Sequence, residues 1–318
     1  MDPRGAKRAF TIPDRKDYSI MEYKLHHFAL LCEDFEKSLA FYRDIMGNQV
    51  ASRWQNQGFL NVAFVGKGGD GMIELIGKPF LEHETRHIAD HGYTINHMSF
   101  LVEDADAAFE ELKGKGVNVA WEPQTFLNLR QCGFHDVDGL LFEVFSYPSD
   151  MPLATPEVSK QAGPTDIMLH HISILSPDLR RSQRFYEQML GFQTVYEYLE
   201  HDGGFIFLIN PGYEHESNSL MLEIIGPPDL EAREVVMLEK HGACYDHFGF
   251  VAGDVDAAWK LFIERGAKSM AAPVEDYGVQ MAWVNDADGN DVEIMSPIPD
   301  EIITNVLHGG EPFDAMES

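Results

Sequence analysis

Positive charge is scarce in this chain: 24 Lys and Arg stand against 52 Asp and Glu, for a formal net charge of −28. A nucleic-acid groove needs cations to neutralise phosphate, so no nucleic-acid partner is expected, and an anionic membrane surface repels the chain for the same reason. Cysteine is scarce too. Cys32, Cys132 and Cys244 are isolated and odd in number, which excludes a disulfide framework and leaves them as buried small hydrophobes. No apolar run approaches the roughly 20 residues of a membrane span. The start, MDPRGAKRAFTIPDRK, is basic but is followed by no apolar run, so it does not read as a secretory signal. A cytoplasmic location is the expectation.

What is abundant is a pattern. A strand-borne histidine followed by a strand-borne glutamate occurs as His27 and Glu74, His97 and Glu143, His171 and Glu223, and His247 and Glu293, at separations of 47, 46, 52 and 46 residues. Seven residues after each histidine stands an aspartate: Asp34, Asp104, Asp178 and Asp254. Imidazoles and carboxylates hold borderline and hard divalent metals, and their recurrence at one period marks a repeat that carries the chemistry. An isolated strand histidine is more often a satisfied core residue; four in register favour ligands.

The halves repeat. KLHHFALLCEDFEKSLAFYRDIMG at 24–47 matches MLHHISILSPDLRRSQRFYEQMLG at 168–191, and DVDGLLFEVFS at 136–146 matches DADGNDVEIMS at 286–296. The Pro-, Ser- and Thr-rich stretch 148–166 reads as a linker. Residues 1–22 read as an arm and 298–318 as an acidic tail, leaving repeats at 23–147 and 167–297. Each half divides again. Leu25, His27, Ala29 and Leu31 alternate along a strand, Asp34 sits where a helix N-cap belongs, and Phe35, Leu39, Tyr42 and Met46 recur at helical spacing. Apolar runs near 49–53, 59–65 and 71–77 complete a βαβββ order. Four such units make an α+β fold. Strict alternation sends His26 and His170, the first members of each doublet, to the helix side.

This pattern resembles the vicinal oxygen chelate superfamily, which includes glyoxalase I, extradiol dioxygenases and bleomycin-resistance proteins. The motifs that carry the resemblance are LHHFALLCED, LHHISILSPD, INHMSFLVED, YDHFGFVAGD and the closing DVDGLLFE and DADGNDVE. It implies glyoxalase-like domains at 23–147 and 167–297, with βαβββ units paired into two cup-shaped mixed-sheet barrels. It leaves open whether units pair within a half or across the linker. It also implies metal ligands at His171, Glu223, His247 and Glu293, and at His27, Glu74, His97 and Glu143, for a divalent ion such as Ni, Co, Zn, Mn or Fe(II). If one half is active, the resemblance favours the second.

Leu31 and Leu175 stand where glyoxalase I places an arginine for glutathione, so an apolar or aromatic carbonyl substrate fits better. The leading expectation is a metal-dependent lyase or isomerase. It would abstract a proton beside a carbonyl through a metal-bound enediolate, with Glu293 or Glu143 moving the proton. The first rival is an Fe(II) or Mn(II) ring-cleaving dioxygenase with His171, His247 and Glu293 as its triad; the second is a metal-free small-molecule binder. Tyr42 and Tyr186 read as packing residues. His91 and His241 precede the second-histidine strands and read equally as surface residues or as lining for a cup mouth, Arg130 and Gln280 are candidates to orient substrate, and a homodimer is compatible with the repeat.

Overall fold

The computed structural model describes residues 23–56, 60–66, 71–77, 95–126, 129–147, 168–176, 178–200, 203–209, 220–226, 244–276, 278–297 and 313–314. The βαβββ order occurs four times. The first unit is β1 (Tyr23–Cys32), α1 (Phe35–Ala40, continued by a π turn at Phe41–Ile45), β2 (Gln49–Asn56), β3 (Leu60–Gly66) and β4 (Met72–Gly77). The second is β5 (Ile95–Leu101), α2 (Ala105–Gly114), β6 (Asn118–Phe126), β7 (Leu129–His135) and β8 (Leu141–Ser146). The third is β9 (Met168–Leu175), α3 (Leu179–Met189), β10 (Gln193–Glu200), β11 (Gly203–Ile209) and β12 (Met221–Gly226). The fourth is β13 (Cys244–Ala252), α4 (Val255–Glu264), β14 (Lys268–Asp276), β15 (Val279–Asn285) and β16 (Asp291–Met295).

The four aspartates cap the four helices. Asp34 accepts from the Lys37 backbone N–H, Asp104 from Asp106 and Ala107, Asp178 from Arg181, and Asp254 from Ala257. Each satisfies an amide that the first turn leaves without an intrahelical partner. The helices then cover the apolar faces of the sheets, burying residues such as Phe28, Phe100, Ile172 and Phe248. Cys32 and Cys132 are buried and unpaired, as small hydrophobes should be.

The units pair across the linker. One sheet runs β14-β15-β16-β13-β1-β4-β3-β2-β17, joining the first unit to the fourth. The other runs β10-β11-β12-β9-β5-β8-β7-β6, joining the second unit to the third. Both seams, β1 with β13 and β5 with β9, are antiparallel. Within every unit the first and last strands lie side by side in parallel. Among the described residues neither sheet closes into a hydrogen-bonded barrel, so each cup is an open sheet. The tail is not wholly apart either: Phe313–Asp314 forms β17, a short strand parallel to β2.

Helices, by contrast, bind units within a half. Tyr42, fully buried, donates to Asp136 Oδ2 at 2.7 Å, and Ser38 donates to Asp138. Tyr186 and Ser182 make the same bonds to Asp286 and Asp288. The tyrosines are packing residues, and the closing Asp-x-Asp-Gly motifs are the sockets that receive them. Each half is therefore clamped by its helices but completed by the sheets of the other.

This arrangement predicts the behaviour of an isolated half. Residues 23–147 alone would present β1 and β5 without their partners β13 and β9, and such open edges invite pairing with a second copy. The fragment is expected to run as a dimer on size exclusion, with metal uptake confined to the dimer fraction. A monomeric fragment that binds metal as the full chain does would refute the cross-half architecture.

Candidate metal centres

Each histidine and its glutamate are brought together by the parallel pairing of first and last strands. Ala29 lies beside Glu74, Ser99 beside Glu143, Ser173 beside Glu223 and Gly249 beside Glu293. A residue two positions along a strand shares its face, so each histidine projects on the same side as its glutamate. The antiparallel seams then join two such pairs. His27, Glu74, His247 and Glu293 form one quartet, and His97, Glu143, His171 and Glu223 form the other.

In the first quartet the His27 and His247 Nε2 atoms lie 3.2 Å apart. Glu74 Oε2 stands 3.3 Å from His27 Nε2 and 3.2 Å from His247 Nε2, and Glu293 Oε2 stands 3.2 and 3.8 Å from the same atoms. The second quartet is wider. Glu143 Oε2 lies 3.7 and 3.8 Å from His97 and His171 Nε2, and Glu223 Oε2 lies 3.9 and 3.6 Å away. In both, two histidines and a glutamate have ligand atoms within 4.8 Å of one another.

The electrostatics differ between the two. Burial disfavours the His27 cation, but Glu293 and Glu74 outweigh it and the imidazole is raised. His247 is raised further, because Asp246 adds to Glu74 in opposing the burial effect. Glu74, despite its burial, is lowered by both imidazoles. Across the molecule, burial beside His170 and His97 holds His171 neutral, well below the usual histidine range. Burial also pushes Glu223 up to about 7. The buried His171 Nε2 has no hydrogen-bond partner, which is an expensive state for a polar atom unless something else engages it.

The residue before each histidine has a role that sequence reading missed. The seam ladders skip His26, Asn96 and His170, and at the fourth place the pair Asp246–His247. At such bulges a side chain is re-aimed. His26 Nδ1 lies 3.0 Å from His27 Nδ1, and His170 Nδ1 lies 2.9 Å from His171 Nδ1. His97 Nδ1 donates to Asn96 Oδ1 at 2.8 Å and His247 Nδ1 to Asp246 Oδ2 at 2.6 Å. His26 and His170 therefore lie against their neighbours instead of turning to the helix side, because a bulge breaks the alternation on which that expectation rested. All four ring Nδ1 atoms are held from behind, so all four Nε2 atoms face inward. A polar residue directly before each histidine was the available signal. The serines two residues after His97 and His171 were also missed: Ser99 donates to Glu143 at 2.8 Å, and Ser173 bonds Glu223 and lies 3.1 Å from His97 Nε2.

Three expectations are corrected here. A triad of His171, His247 and Glu293 does not assemble, since His171 belongs to one quartet and the other two residues to the second. No quartet belongs to the second half alone; each draws two residues from each half. Arg130 and Gln280 do not face the cups: they bond Asp106 and Asp256 at the starts of α2 and α4, on the helix side. His91 and His241 lie outside the described residues.

The model of the Glyoxalase/Bleomycin resistance protein/Dioxygenase superfamily matches residues 24–144 and 168–294, and the chain belongs to that superfamily. Among curated relatives, the uncharacterized protein YwkD of Bacillus subtilis is 30% identical over 126 residues, covering 38% of this chain and 94% of that protein. A probable lactoylglutathione lyase of Vibrio parahaemolyticus is 29% identical over 100 residues, covering 31% of this chain and 71% of its own length. The fold is that of glyoxalase I from Zea mays, with TM-score 0.65 and 18% identity over 90% of this chain and 95% of that one. A putative dioxygenase from Bacillus subtilis is similar at TM-score 0.61 and 13% identity, over 94% of this chain and all of that one. Among the described residues, no helix is long and apolar enough to cross a membrane.

Proposed function

We propose that this protein is a metal-dependent lyase or isomerase with two centres, each acting on the carbon beside the carbonyl of a small molecule. The observation that carries this reading is the convergence of two imidazole Nε2 atoms and two carboxylates in each quartet, with His171 Nε2 buried and unpartnered. Such a mixed nitrogen and oxygen donor set suits Zn, Ni, Co, Mn or Fe(II). His27, Glu74, His247 and Glu293 would hold one ion, and His97, Glu143, His171 and Glu223 the other. When bound, the ion supplies Lewis acidity to adjacent oxygens of the substrate.

The chain's own residues do the rest. The bulge side chains fix each ring with Nε2 inward, as outer partners of metal-binding histidines do. Glu293 in one centre and Glu143 in the other take the proton from carbon and return it to the neighbouring atom. Metal analysis of protein purified without chelators tests the reading: two equivalents of Ni, Co or Zn per chain are expected. Metal-free protein that still turns over substrate would end it.

One rival keeps a specific observation in its favour. His27, His247 and Glu293 have ligand atoms within 4.8 Å of one another, which is the donor composition of a ring-cleaving Fe(II) triad. Stoichiometric dioxygen uptake would favour it.

Asp246 gives a further prediction. It is the one charged residue among the four that hold an Nδ1, so Asp246→Ala should weaken metal binding at its own centre by about 10–100-fold. Asp246→Asn, which keeps an acceptor oxygen, should recover part of that loss. The second centre should be unaffected. Competition with a chromophoric chelator resolves the two affinities, and equal weakening at both centres would count against the assignment.

A further inference from the structure

The second quartet sits against a wall of aromatic rings. In the antiparallel ladder of β10, β11 and β12, Glu223 lies opposite Phe207, Phe207 opposite Tyr196, and Phe205 opposite Tyr198. Directly opposed residues share a face, so all four rings project to the side on which Glu223 reaches the imidazoles. The alternate residues Ile206, Leu208, Leu222 and Ile224 fill the core behind the sheet. The wall begins at the centre itself. Phe207 lies 5.1 Å from the His171 ring, Phe205 lies 5.5 Å from Phe207, and Tyr196 and Tyr198 stand 5.9 and 5.5 Å from Phe205.

The other half supplies the facing side. Phe126, at the end of β6, comes within 6.4 Å of both Tyr198 and Phe205. Trp121 lies opposite Gly133, which in turn lies opposite Glu143. A Cβ at Gly133 would fall 2.3 Å from the Trp121 ring, so the glycine is what lets an indole lie flat beside the glutamate. Six aromatic residues thus surround one quartet. Yet Phe126 is 46% exposed and Tyr196 39% exposed, while most other large rings among the described residues are buried. Rings arranged in contact, open to solvent and continuous with a ligand cluster are what a flat apolar guest requires.

We propose that the centre formed by His97, Glu143, His171 and Glu223 takes a substrate that carries an aromatic ring next to its chelating oxygens. Its ring packs against the wall of Phe207, Phe205 and the two tyrosines, with Trp121 and Phe126 alongside. This rests on reading the quartet as a metal centre for small carbonyl compounds, and it adds the class of substrate. The ring places the reacting carbon beside Glu143 and Glu223, and a substrate too small to reach the wall forfeits those contacts.

Mandelate and lactate test the inference, since both offer a hydroxyl and a carboxylate to chelate and differ by phenyl for methyl. Calorimetric titration of the zinc-loaded full-length protein should show mandelate bound at least about tenfold more tightly, the range expected for several ring contacts. Phe205→Ala and Phe126→Ala should each erase most of that preference. Phe205→Leu keeps an apolar side chain in place, so it guards against a folding defect, and it too should weaken mandelate selectively. Equal affinities in the parent protein would overturn the proposal, as would a preference that survives both alanine variants. The metal reading fails separately: if zinc does not bind while the mandelate preference persists, the aromatic site stands and the metal centre falls. If zinc binds and the two acids bind alike, only the aromatic assignment falls.

Discussion

His171→Ala should remove one of two bound metal ions, and His247→Ala the other. The two histidines lie on different sheets, one in each quartet, so neither substitution should touch the ion held by its counterpart. Loss of one nitrogen donor from a quartet leaves too few ligands for tight binding. The affected centre should lose more than about a hundredfold in affinity, since changes outside the ligand shell alone cost about 10–100-fold. His27→Ala should behave like His247→Ala, and His97→Ala like His171→Ala, although each of these pairs spans the two halves of the sequence. Metal-to-protein ratios by elemental analysis, with circular dichroism to confirm folding, check this. A double variant His27→Ala/His247→Ala that still held one equivalent would agree with it; one that lost both ions would break the grouping.

Glu293→Gln should lose far more rate than metal. An amide oxygen still offers a weak ligand, but it cannot accept a proton near neutral pH, and removal of a general base costs about 10²–10⁴-fold. Because two centres can mask each other, the measurement belongs in a His171→Ala background, where turnover comes only from the quartet of Glu293. Glu143→Gln in a His247→Ala background is the matching test. There, Glu223→Gln is the informative control. Glu223 is the second carboxylate of that quartet, so the variant with the larger kcat loss identifies the base. Solvent deuterium should enter the product at the carbon beside the carbonyl. Full isotope retention at that carbon, with dioxygen consumed, would move the assignment to ring cleavage by His27, His247 and Glu293.

Much of the fold was legible because its signals are local. An aspartate seven residues after each histidine caps a helix within one turn, and its own side chain makes the decisive bond. The first and last strands of each unit hold the histidine and glutamate because their alternation is written in neighbouring residues. The aromatic wall was less legible. Phe205 and Phe207 read as part of an apolar run, and only the ladder register shows that they face the cup while Ile206 and Leu208 face the core.

The bulges mark where local reasoning fails. His26 and His170 were assigned to the opposite face by strict alternation, which holds only while every residue of a strand is paired. A ladder that skips a residue is a property of two strands together. Here the paired strands belong to different halves of the sequence.

The sequence by itself determined that there are four βαβββ units, which residue types each brings to its cup, and that a histidine and a glutamate of one unit share a face. Those facts follow from side-chain period, capping and repetition, all short-range. Only the tertiary structure decided which units meet. The backbone of an edge strand offers the same hydrogen-bonding groups whichever partner arrives, so β1 could in principle have joined β5 or β13. In the fold the helix clamps, Tyr42 on Asp136 and Tyr186 on Asp286, tie units within a half, while the seams of β1 with β13 and β5 with β9 join units across it. That choice turns eight scattered ligands into two quartets, each shared between the halves.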